Sequence, residues 1–531
     1  MKPSIERLDI PAEELNQLLE RAREVLPEED YRKLKAAVET LEYLTELVAD
    51  KDTTIRHLRQ LLLPAATEKT KAVLEKVGIT PSATSPPETS ANEESKAESP
   101  RTGHGRNGAE AYRGAQKIDV PHPQLKHGDR CPECGKGNVY GQKEPKVLVR
   151  VVGQAPLAAT VYSLERLRCN GCGEVFTAQE PEGVGAEKYD ETAGAMIAQL
   201  KYGSGTPFYR LDQLEKQLGI PLPAATQWEI VEEVAELLKP ARDELIRQAA
   251  QGEVIHNDDT SMKVLKLERE PGDERTGIFT SGIVSTAQGW KIALYFTGRQ
   301  HAGENIADVL KQRNRELGPA IQMCDALSWN APKLPAGVEL LLAHCLAHGR
   351  RQIVEVAQNF PVECRHVLEK LGEVYRNDAE ARSAGMTPEE RLGFHQQQSK
   401  PIMDGLHNWL EAQFRERKVE PNSSLGKAIQ YLLRHWQPLT LFLRQAGAPL
   451  DNNLCERALK RAVLHRKNAL FYRTLKGAQV GDLFMSLIHT CQLCGVNSFE
   501  YLTELQRHAR ELAAGPSEWM PWNYRETLAR S

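Results

Sequence analysis

The chain has 531 residues, and its 68 Lys and Arg against 72 Asp and Glu give a net charge of −4. This length predicts several domains with buried cores, and the charge balance excludes a uniformly basic protein, so any nucleic-acid binding must come from local basic patches. No apolar run is long enough to cross a bilayer and the first residues lack the apolar core of a signal peptide, so we expect a cytoplasmic protein with ten reduced cysteines.

A helical pattern occupies residues 12–63, and a heptad register begins at Leu34. Apolar residues fill both seam positions except at Lys51: Leu34, Leu41, Val48, Ile55 and Leu62 at one, and Ala37, Leu44 and Leu58 at the other. The register predicts a coiled coil and self-association, or else an amphipathic helix packed on its own chain. Residues 79–118 are rich in Pro, Ser and Glu and poor in large apolar residues, which is typical of a disordered linker.

Two Cys-x2-Cys pairs follow the linker, and each pair precedes a glycine. They are Cys131 with Cys134 and Cys169 with Cys172, separated by 34 residues that include strand-forming stretches. Each pair places two thiolates on one side of a tight turn, and two such turns complete a tetrahedral sulfur site. We therefore predict a structural Zn²⁺, because four protein ligands leave no open coordination position.

Three helices are predicted next, over residues 193–200, 209–218 and 225–238. The last two are joined by Gly219-Ile-Pro-Leu-Pro223, and this spacing resembles a helix-turn-helix. Because the second helix has few basic residues, a structural αα-hairpin explains the pattern equally well.

From residue 253 the pattern changes to strands. The predicted elements are strands over 254–265, 278–284 and 290–296, a helix over 305–312 and a strand over 320–324. This order of elements, with three strands in a meander followed by a helix and a fourth strand, is typical of a ribonuclease-H-like core. Asp258 lies on the first strand and Asp325 follows the fourth. Asp259 is expected on the opposite face of the sheet and is the alternative to Asp258.

Five further helices are predicted over 341–360, 367–379, 388–397, 403–416 and 425–444, too long and regular for a loop. After this insertion, Asp451–Asn453 offers N-cap chemistry to a helix with one carboxylate, Glu456. From Arg457 to Lys476 there are seven Lys and Arg and no Asp or Glu. Taken alone, this pattern predicts a basic helix exposed to solvent. Together with the other acids, it predicts a helix whose cations bind a phosphate backbone. The predicted DNA-contacting residues are Arg350, Arg351, Arg457, Lys460, Arg461, Arg466 and Lys467.

Asp258, Asp325 and Glu456 form the candidate catalytic set. Three clustered carboxylates repel one another unless cations lie among them, and hard oxygen ligands suit Mg²⁺ or Mn²⁺. Two such ions about 4 Å apart activate a water or a 3′-hydroxyl and stabilise the leaving oxygen of an in-line phosphodiester displacement. The predicted chemistry is phosphoryl transfer on a nucleic acid.

Five motifs resemble DDE transposases of the IS-sixty-six insertion-sequence family. They are Gly103-His-Gly-Arg-Asn-Gly108 with the cysteine pairs, His256-Asn-Asp-Asp-Thr260, Cys345-Leu-Ala-His-Gly-Arg-Arg351, Asp451-Asn-Asn-Leu-Cys-Glu-Arg457 with Arg466-Lys-Asn468, and Ser486–Leu502. The resemblance covers nearly the whole chain. It implies a metal-dependent enzyme that cleaves double-stranded DNA at element ends and transfers the strands to a target. It also implies a zinc-binding region and accessory proteins of the same element, and the protein is expected in the bacterial cytoplasm at the nucleoid. The homo-oligomer is expected from the heptad register.

The expected fold class is therefore multidomain α/β, with a ribonuclease-H-like core that an all-helical insertion interrupts. The expected domains are a coiled coil (1–78), a linker (79–118), a zinc-binding domain (119–185), a helical region (186–250), the first part of the core (251–340), the helical insertion (341–445), the second part of the core with Glu456 (446–490) and a helical tail (491–531). Two other functions stay open: a DNA-binding relic without catalysis, and a nuclease without strand transfer.

Two smaller cysteine motifs also have alternatives. Cys345 and His348 lie three residues apart on a predicted helix, so both can face one way. They resemble a Cys-x2-His motif of other DDE transposases, or they are a core cysteine beside a hydrogen-bonded histidine. Cys491 and Cys494 have metal-ligand spacing, but they lie in an apolar helix, so we expect core packing.

Overall fold

The computed structural model describes residues 120–134, 136–140, 155–168, 175–179, 181–183, 187–267, 275–334 and 337–530, with five isolated residues nearer the N-terminus. The chain divides into two compact units, Met1–Ser90 and Ala91–Ser531. The predicted linker lies outside the described residues, and so does all but five residues of the predicted coiled-coil region. The account below concerns the second unit.

Five strands form the central mixed sheet of this unit. They are β3 (Val254–Ser261), β5 (Phe279–Ala287), β6 (Trp290–Gly298), β7 (Ala320–Cys324) and β8 (Leu340–His344). Their order is β6-β5-β3-β7-β8, with β3, β5 and β6 antiparallel and β7 and β8 parallel to β3. Two small sheets accompany it: β1 (Arg166–Arg168) pairs with β2 (Val175–Thr177), and β4 (Val264–Lys266) pairs with β9 (Tyr472–Thr474).

The predicted strands are confirmed, with three changes of detail. The strand predicted over 254–265 is divided into β3 and β4, which belong to different sheets. The hairpin between β5 and β6 turns at Gln288 and Gly289, whose φ angles of 51° and 84° are both positive, so the turn is tighter than the predicted five residues and matches the favoured twist of a two-residue hairpin. The helix predicted from residue 341 was wrong at its start, because Leu340–His344 is a fifth strand. A short apolar run has no periodicity that separates a buried strand from a helix.

Helices surround the sheet. In chain order they are α1 (Glu191–Ala198), α2 (Phe208–Gln217), α3 (Ala224–Ala249), α4 (Ala302–Leu310), α5 (Leu346–Val356), α6 (Pro361–Ser383), α7 (Pro388–Gln398), α8 (Lys400–Arg415), α9 (Ser424–Arg434), α10 (Trp436–Leu439), α11 (Asn453–Ala469), α12 (Leu475–Leu493), α13 (Ser498–Arg507), α14 (Ala509–Ala514) and α15 (Tyr524–Arg530). The predicted helices of the insertion correspond to α5 to α10. Pro388 begins α7 behind the N-cap Thr387, whose hydroxyl accepts from the Glu390 N–H at 3.3 Å.

Two helices pack on opposite faces of the sheet. Gly282 of β5 lies opposite Asp258 and contacts Leu459 of α11. The adjacent residue, Ser281, lies opposite Asp259, and its hydroxyl accepts from the Asn305 amide of α4 at 2.8 Å. Because successive side chains of a strand point to opposite faces, α11 covers the Asp258 face and α4 covers the Asp259 face.

Helix α12 closes the outer edge of β6 with a ladder of side chains. The N–H groups of Ala293, Tyr295 and Thr297 donate to Thr490 Oγ1 at 3.1 Å, Ser486 Oγ at 3.0 Å and Asp482 Oδ2 at 2.6 Å. Two residues of strand rise by nearly the same distance as four residues of helix, so the acceptors meet every outward N–H of this stretch. The edge is thereby protected from pairing with another strand.

The aromatic C-terminal tail docks on this core. Trp519, Met520 and Tyr524 are buried, and the Tyr501 hydroxyl donates to the Trp519 carbonyl at 2.8 Å. Trp522 stacks on Trp290, the first residue of β6, with ring centroids 5.8 Å apart. Within the described residues, every helix is too short or too polar to cross a membrane.

Candidate functional site

The strand register brings Asp258 and Asp325 together. On the parallel strands β3 and β7, Val254 lies opposite Ile321 and His256 lies opposite Met323. The same offset places Asp258 beside Asp325, which directly follows β7. Burial, and then the negative charge of Asp325, raise the pKa of the Asp258 carboxyl to about 7, with smaller contributions from the charges of Asp259 and Glu456. The three predicted acids therefore interact electrostatically around one end of β3.

The adjacent acid, Asp259, has different partners. Its Oδ2 lies 2.8 Å from His301 Nδ1 and accepts from the Ala302 N–H at 3.4 Å. The carboxylate thus stabilises the N-terminus of α4. These contacts hold the Asp259 side chain on the face of the sheet that α4 covers. The Asp258 side chain lies on the opposite face, which is covered by α11, the helix that carries Glu456.

A network of buried amides holds the Asp325 carboxylate. Its Oδ1 accepts from the Leu327 N–H at 3.2 Å and from the Asn330 side chain. The Asn330 carbonyl in turn accepts from Asn257 Nδ2 at 3.0 Å and from Gln322 Nε2 at 2.8 Å. Since Asn257 is on β3 and Gln322 is on β7, the network fixes the loop after β7 relative to both strands.

A glycine allows α11 to approach the sheet closely. A Cβ atom at Gly282 would lie 2.9 Å from Leu459 Cδ2, which is too close for packed carbons. In the space that glycine leaves, the Cys455 thiol donates to the Gly282 carbonyl at 3.2 Å. Because Gly282 lies opposite Asp258, this contact brings the start of α11, with Glu456, toward the strand acid.

Asn452 fastens the start of α11 to β3. The sequence predicted that Asp451–Asn453 provides the N-cap of this helix. In the structure Asp451 provides the capping side chain, because its Oδ1 accepts from the Asn453 N–H at 3.1 Å. The fully buried Asn452 side chain instead pairs with His256 Nδ1 at 3.0 Å and donates to the Asn257 carbonyl at 3.1 Å. Its backbone carbonyl accepts from the Glu456 N–H at 3.1 Å. Asn452 therefore connects the two elements that carry Asp258 and Glu456.

Cys345 and His348 lie next to Glu456. Cys345 immediately precedes α5 and His348 is in its first turn, where His348 Nδ1 lies 3.7 Å from Glu456 Oε1. Among the described residues, the group of three ligand-type side chains whose donor atoms all lie within 4.8 Å of one another is Cys345, His348 and Glu456. The three acids themselves are spaced more widely than that.

The predicted DNA-contacting cations differ in their surroundings. Arg457, Lys460 and Lys467 are exposed on α11, whereas Arg350 is 9% exposed. Arg466 donates to Thr260 Oγ1 at 3.2 Å and to Ser261 Oγ at 2.7 Å at the end of β3, and Arg461 donates to Gln492. Arg351 is half-buried. The exposed cations thus lie on the same helix as Glu456, while Arg466 also ties α11 to β3.

One half of the predicted zinc site is described. The Cys131 N–H donates to the Gly137 carbonyl at 2.8 Å, and Arg130 and Asn138 form an antiparallel bridge. Backbone N–H groups, first that of Gly137, lower the pKa of the Cys134 thiol. Cys169 and Cys172 lie outside the described residues, between the paired strands β1 and β2. The Cys131 turn has the N–H donors that stabilise a thiolate ligand.

The other cysteine pair packs against the protein interior, with Cys491 in the core and Cys494 half-buried. Cys491 is fully buried, and Cys494 Sγ donates to the Lys291 carbonyl at 3.7 Å. Burial raises the pKa of both thiols. The expected packing role is confirmed.

Sequence reasoning missed the residues that position the acids. Asn452, Asn330 and Gly282 act through contacts with residues 195, 5 and 177 positions away in the chain. The signal for Asn452 was present in its motif, where three polar residues precede an apolar helix face. That signal also fits an ordinary helix cap, so it did not reveal a link to β3.

Comparisons with known proteins agree with the resemblance that the sequence motifs indicate. The chain is similar to uncharacterized proteins y4jD, y4hP and y4qI of Sinorhizobium fredii, at 27%, 24% and 23% identity. These alignments cover 62%, 75% and 62% of this chain and 65%, 74% and 62% of the relatives, so the chain spans less than two thirds of two of them. The profile of the Transposase IS66 family matches residues 188–480, which is more than half of the chain and contains all three acids. The protein therefore belongs to the Transposase IS66 family.

Proposed function

We propose that this protein is a DNA transposase that cleaves element ends and transfers the strands by in-line phosphodiester displacement. Asp258, Asp325 and Glu456 are the proposed catalytic carboxylates. The observation that carries the proposal is the strand register, in which Asp258 of β3 lies beside Asp325 after β7, while the start of α11 with Glu456 packs on the same face of the sheet. Burial and the charges of Asp325, Asp259 and Glu456 raise the pKa of Asp258, as this grouping requires. Three acids from separate parts of the chain thus meet in a domain that the family profile matches.

The proposed fold of the catalytic domain is a ribonuclease-H-like core. Its support is the sheet order β6-β5-β3-β7-β8, in which an antiparallel meander is followed by two parallel strands. In this arrangement Asp258 on β3 and Asp325 after β7 come from neighbouring strands. Glu456 returns on a helix after the segment of helices α5 to α10.

The residues at this site fit divalent cations. Burial and the negative charges of Asp325, Asp259 and Glu456 raise the pKa of the Asp258 carboxyl, which indicates negative charge that the adjacent side chains do not balance. Mg²⁺ or Mn²⁺ bound there would supply Lewis-acid activation of the attacking hydroxyl and neutralise the leaving oxygen. The Asp325 carboxylate is oriented by Asn330, and Asn452 fixes the start of the helix that carries Glu456 to β3, so the backbone that bears both acids is positioned before the substrate arrives.

The proposed DNA-binding surface is the exposed basic face of α11 that follows Glu456. Arg457, Lys460 and Lys467 extend along α11, so a phosphate backbone can lie beside the acids. Arg350, Arg351, Arg461 and Arg466 are proposed to support the same surface. The Cys131 and Cys134 turn is proposed to hold a structural Zn²⁺ with Cys169 and Cys172. Self-association and accessory proteins of the same element are part of the proposal.

The test uses a duplex with the terminal inverted repeat of the element, Mg²⁺, and either wild type or Glu456→Gln. We expect cleaved and joined strands with the wild type and a loss of at least about 100-fold in the variant, because a transition-state interaction worth several kcal/mol is removed. Glu389→Gln changes an exposed carboxylate of α7 and is the matched control. Undiminished activity of Glu456→Gln contradicts the assignment. Cleavage without joining supports the nuclease, and salt-sensitive binding without any product supports the DNA-binding relic.

A further inference from the structure

Three different ligand types converge beside the proposed catalytic site. Cys345 offers a sulfur, His348 a ring nitrogen and Glu456 a carboxylate oxygen, and these atoms all lie within 4.8 Å of one another. They come from the first turns of α5 and α11, which begin 107 residues apart. Mg²⁺ prefers oxygen ligands, whereas sulfur, imidazole and carboxylate together suit Zn²⁺.

Two features of this cluster are typical of a metal-binding site. His348 Nδ1 is buried and has no hydrogen-bond partner among the described residues, and a buried nitrogen left without one is costly. Cys345 Sγ accepts the Asn452 N–H at 3.2 Å, which is the kind of surrounding hydrogen bond that orients a metal ligand. The His348 and Glu456 side chains are 23% and 31% exposed, so a cation can enter from solvent.

We propose that Cys345, His348 and Glu456 form a second metal site, for a cation of the Zn²⁺ type. Three protein ligands leave one coordination position open, which is the arrangement of an exchangeable site and not of a closed structural site. The site is separate in its chemistry from the proposed Cys131 zinc site, because it uses three ligand types and a different part of the chain.

Occupation of this site regulates the proposed catalytic site, and only this part of the inference depends on the proposed function. Glu456 belongs to both groups of ligands, and Zn²⁺–oxygen bonds are about 2.0–2.2 Å long. A carboxylate bound this tightly beside His348 cannot take the position that it needs near Asp258. Zn²⁺ is therefore expected to inhibit Mg²⁺-dependent cleavage by withdrawing Glu456.

The first test measures metal binding without any catalysis. Full-length wild type, Cys345→Ser, His348→Gln and the control Cys364→Ser are equilibrated with Zn²⁺, and bound zinc per chain is measured by atomic absorption. Cys364 is another fully buried cysteine, on α6. We expect one zinc fewer in both site variants than in the wild type and the control. Equal zinc content in all four proteins overturns the site, and matching circular dichroism melts exclude misfolding as the cause of a loss.

The second test measures regulation. Each protein's Mg²⁺-dependent cleavage is compared with and without Zn²⁺, relative to its own zinc-free rate. We expect inhibition of the wild type, and at least about 10-fold more Zn²⁺ to be needed in His348→Gln, because the loss of a ligand weakens the site. Equal sensitivity of wild type and His348→Gln overturns the regulatory role. If wild type binds the extra zinc but never cleaves DNA, the metal site stands and the proposed function fails.

Discussion

His256 and Asn452 lie 3.0 Å apart, from ring Nδ1 to amide Oδ1, although 196 residues separate them in the chain. Asn452 Nδ2 donates to the Asn257 carbonyl, so the amide oxygen must face the imidazole. Burial lowers the pKa of His256 to about 4, so the ring is neutral and donates from Nδ1. This pair joins the strand of Asp258 to the helix of Glu456.

Asn452→Ala is expected to lower the free energy of unfolding by about 1–3 kcal/mol, because it leaves a buried imidazole N–H unpaired. A double-mutant cycle with His256→Ala, measured by urea denaturation, should give a coupling energy of about 0.5–3 kcal/mol. The matched control is Asn359→Ala, an exposed amide expected to change stability by less than about 0.5 kcal/mol. Additive effects of the two substitutions would show that the pair does not connect β3 with α11.

Asp258→Asn and Asp259→Asn are expected to have opposite effects. Asp258→Asn removes a carboxyl that Asp325 and Glu456 repel, so activity falls by at least about 100-fold while metal-free stability is kept or increased. Asp259→Asn removes the negative charge that faces His301 and the N-terminus of α4, so stability falls and Mg²⁺-dependent cleavage persists. The measurements are strand-cleavage rates and thermal melts in a metal chelator. The reverse assignment follows if Asp259→Asn alone abolishes cleavage.

Asp482 is expected to make stability depend on pH. Burial raises its pKa from 3.8 to about 6, although it accepts from the Thr297 N–H and hydroxyl and lies near Arg242. The folded state therefore holds the proton more tightly than the unfolded state. Its contribution to stability is fully present below about pH 4 and is lost as the pH rises through 6, with a slope of at most about 1.4 kcal/mol per pH unit.

Asp482→Asn should remove this pH dependence, which urea denaturation from pH 4 to 7 measures. The amide oxygen can still accept from the Thr297 N–H, and the amide nitrogen can donate to its hydroxyl. Asp482→Ala keeps neither hydrogen bond and should cost about 1–3 kcal/mol at pH 4, where the Asp482 contribution is fully present. An unchanged pH profile in Asp482→Asn would assign the titration to another group.

Ser486→Ala tests the ladder on the edge of the sheet. The Ser486 hydroxyl accepts the Tyr295 N–H at 3.0 Å, and its removal leaves a buried backbone donor unpaired. We expect a loss of about 1–3 kcal/mol in the free energy of unfolding. Gln479→Ala, on an exposed position of α12, is the control and should change stability by less than about 0.5 kcal/mol. Equal effects would mean that the ladder does not stabilise β6.

Cys134→Ser tests the proposed structural zinc. The variant should contain one zinc fewer per chain than the wild type, because a thiolate ligand is lost. Limited proteolysis of residues 119–185 should become faster, since binding of a structural metal contributes to folding. Cys494→Ser is the control, because its sulfur lies against the Lys291 carbonyl. Unchanged zinc content would contradict a cysteine site in this region.

Local patterns predicted most strands and helices in the described region. Strand β7 begins and ends at the predicted residues, because Pro319 and Asp325 bound its largely apolar run. Helix α3 continues eleven residues beyond the predicted end, through Pro240 to Ala249, since its buried face against the core outweighs the proline. The first residues of the insertion became β8 because β7 offered a parallel partner, which no local pattern reveals.

The sequence by itself determined the family, four of the five strands of the central sheet and the candidate acids, because these depend on motifs and periodicity that are local in the chain. Only the tertiary structure decided that Asp258 faces Glu456 while Asp259 binds His301, since one residue along a strand reverses the face. It also decided that Asn452 connects with His256 and that Cys345 and His348 lie beside Glu456. Such contacts depend on packing between segments that are more than 100 residues apart, and sequence spacing carries no distance across the fold.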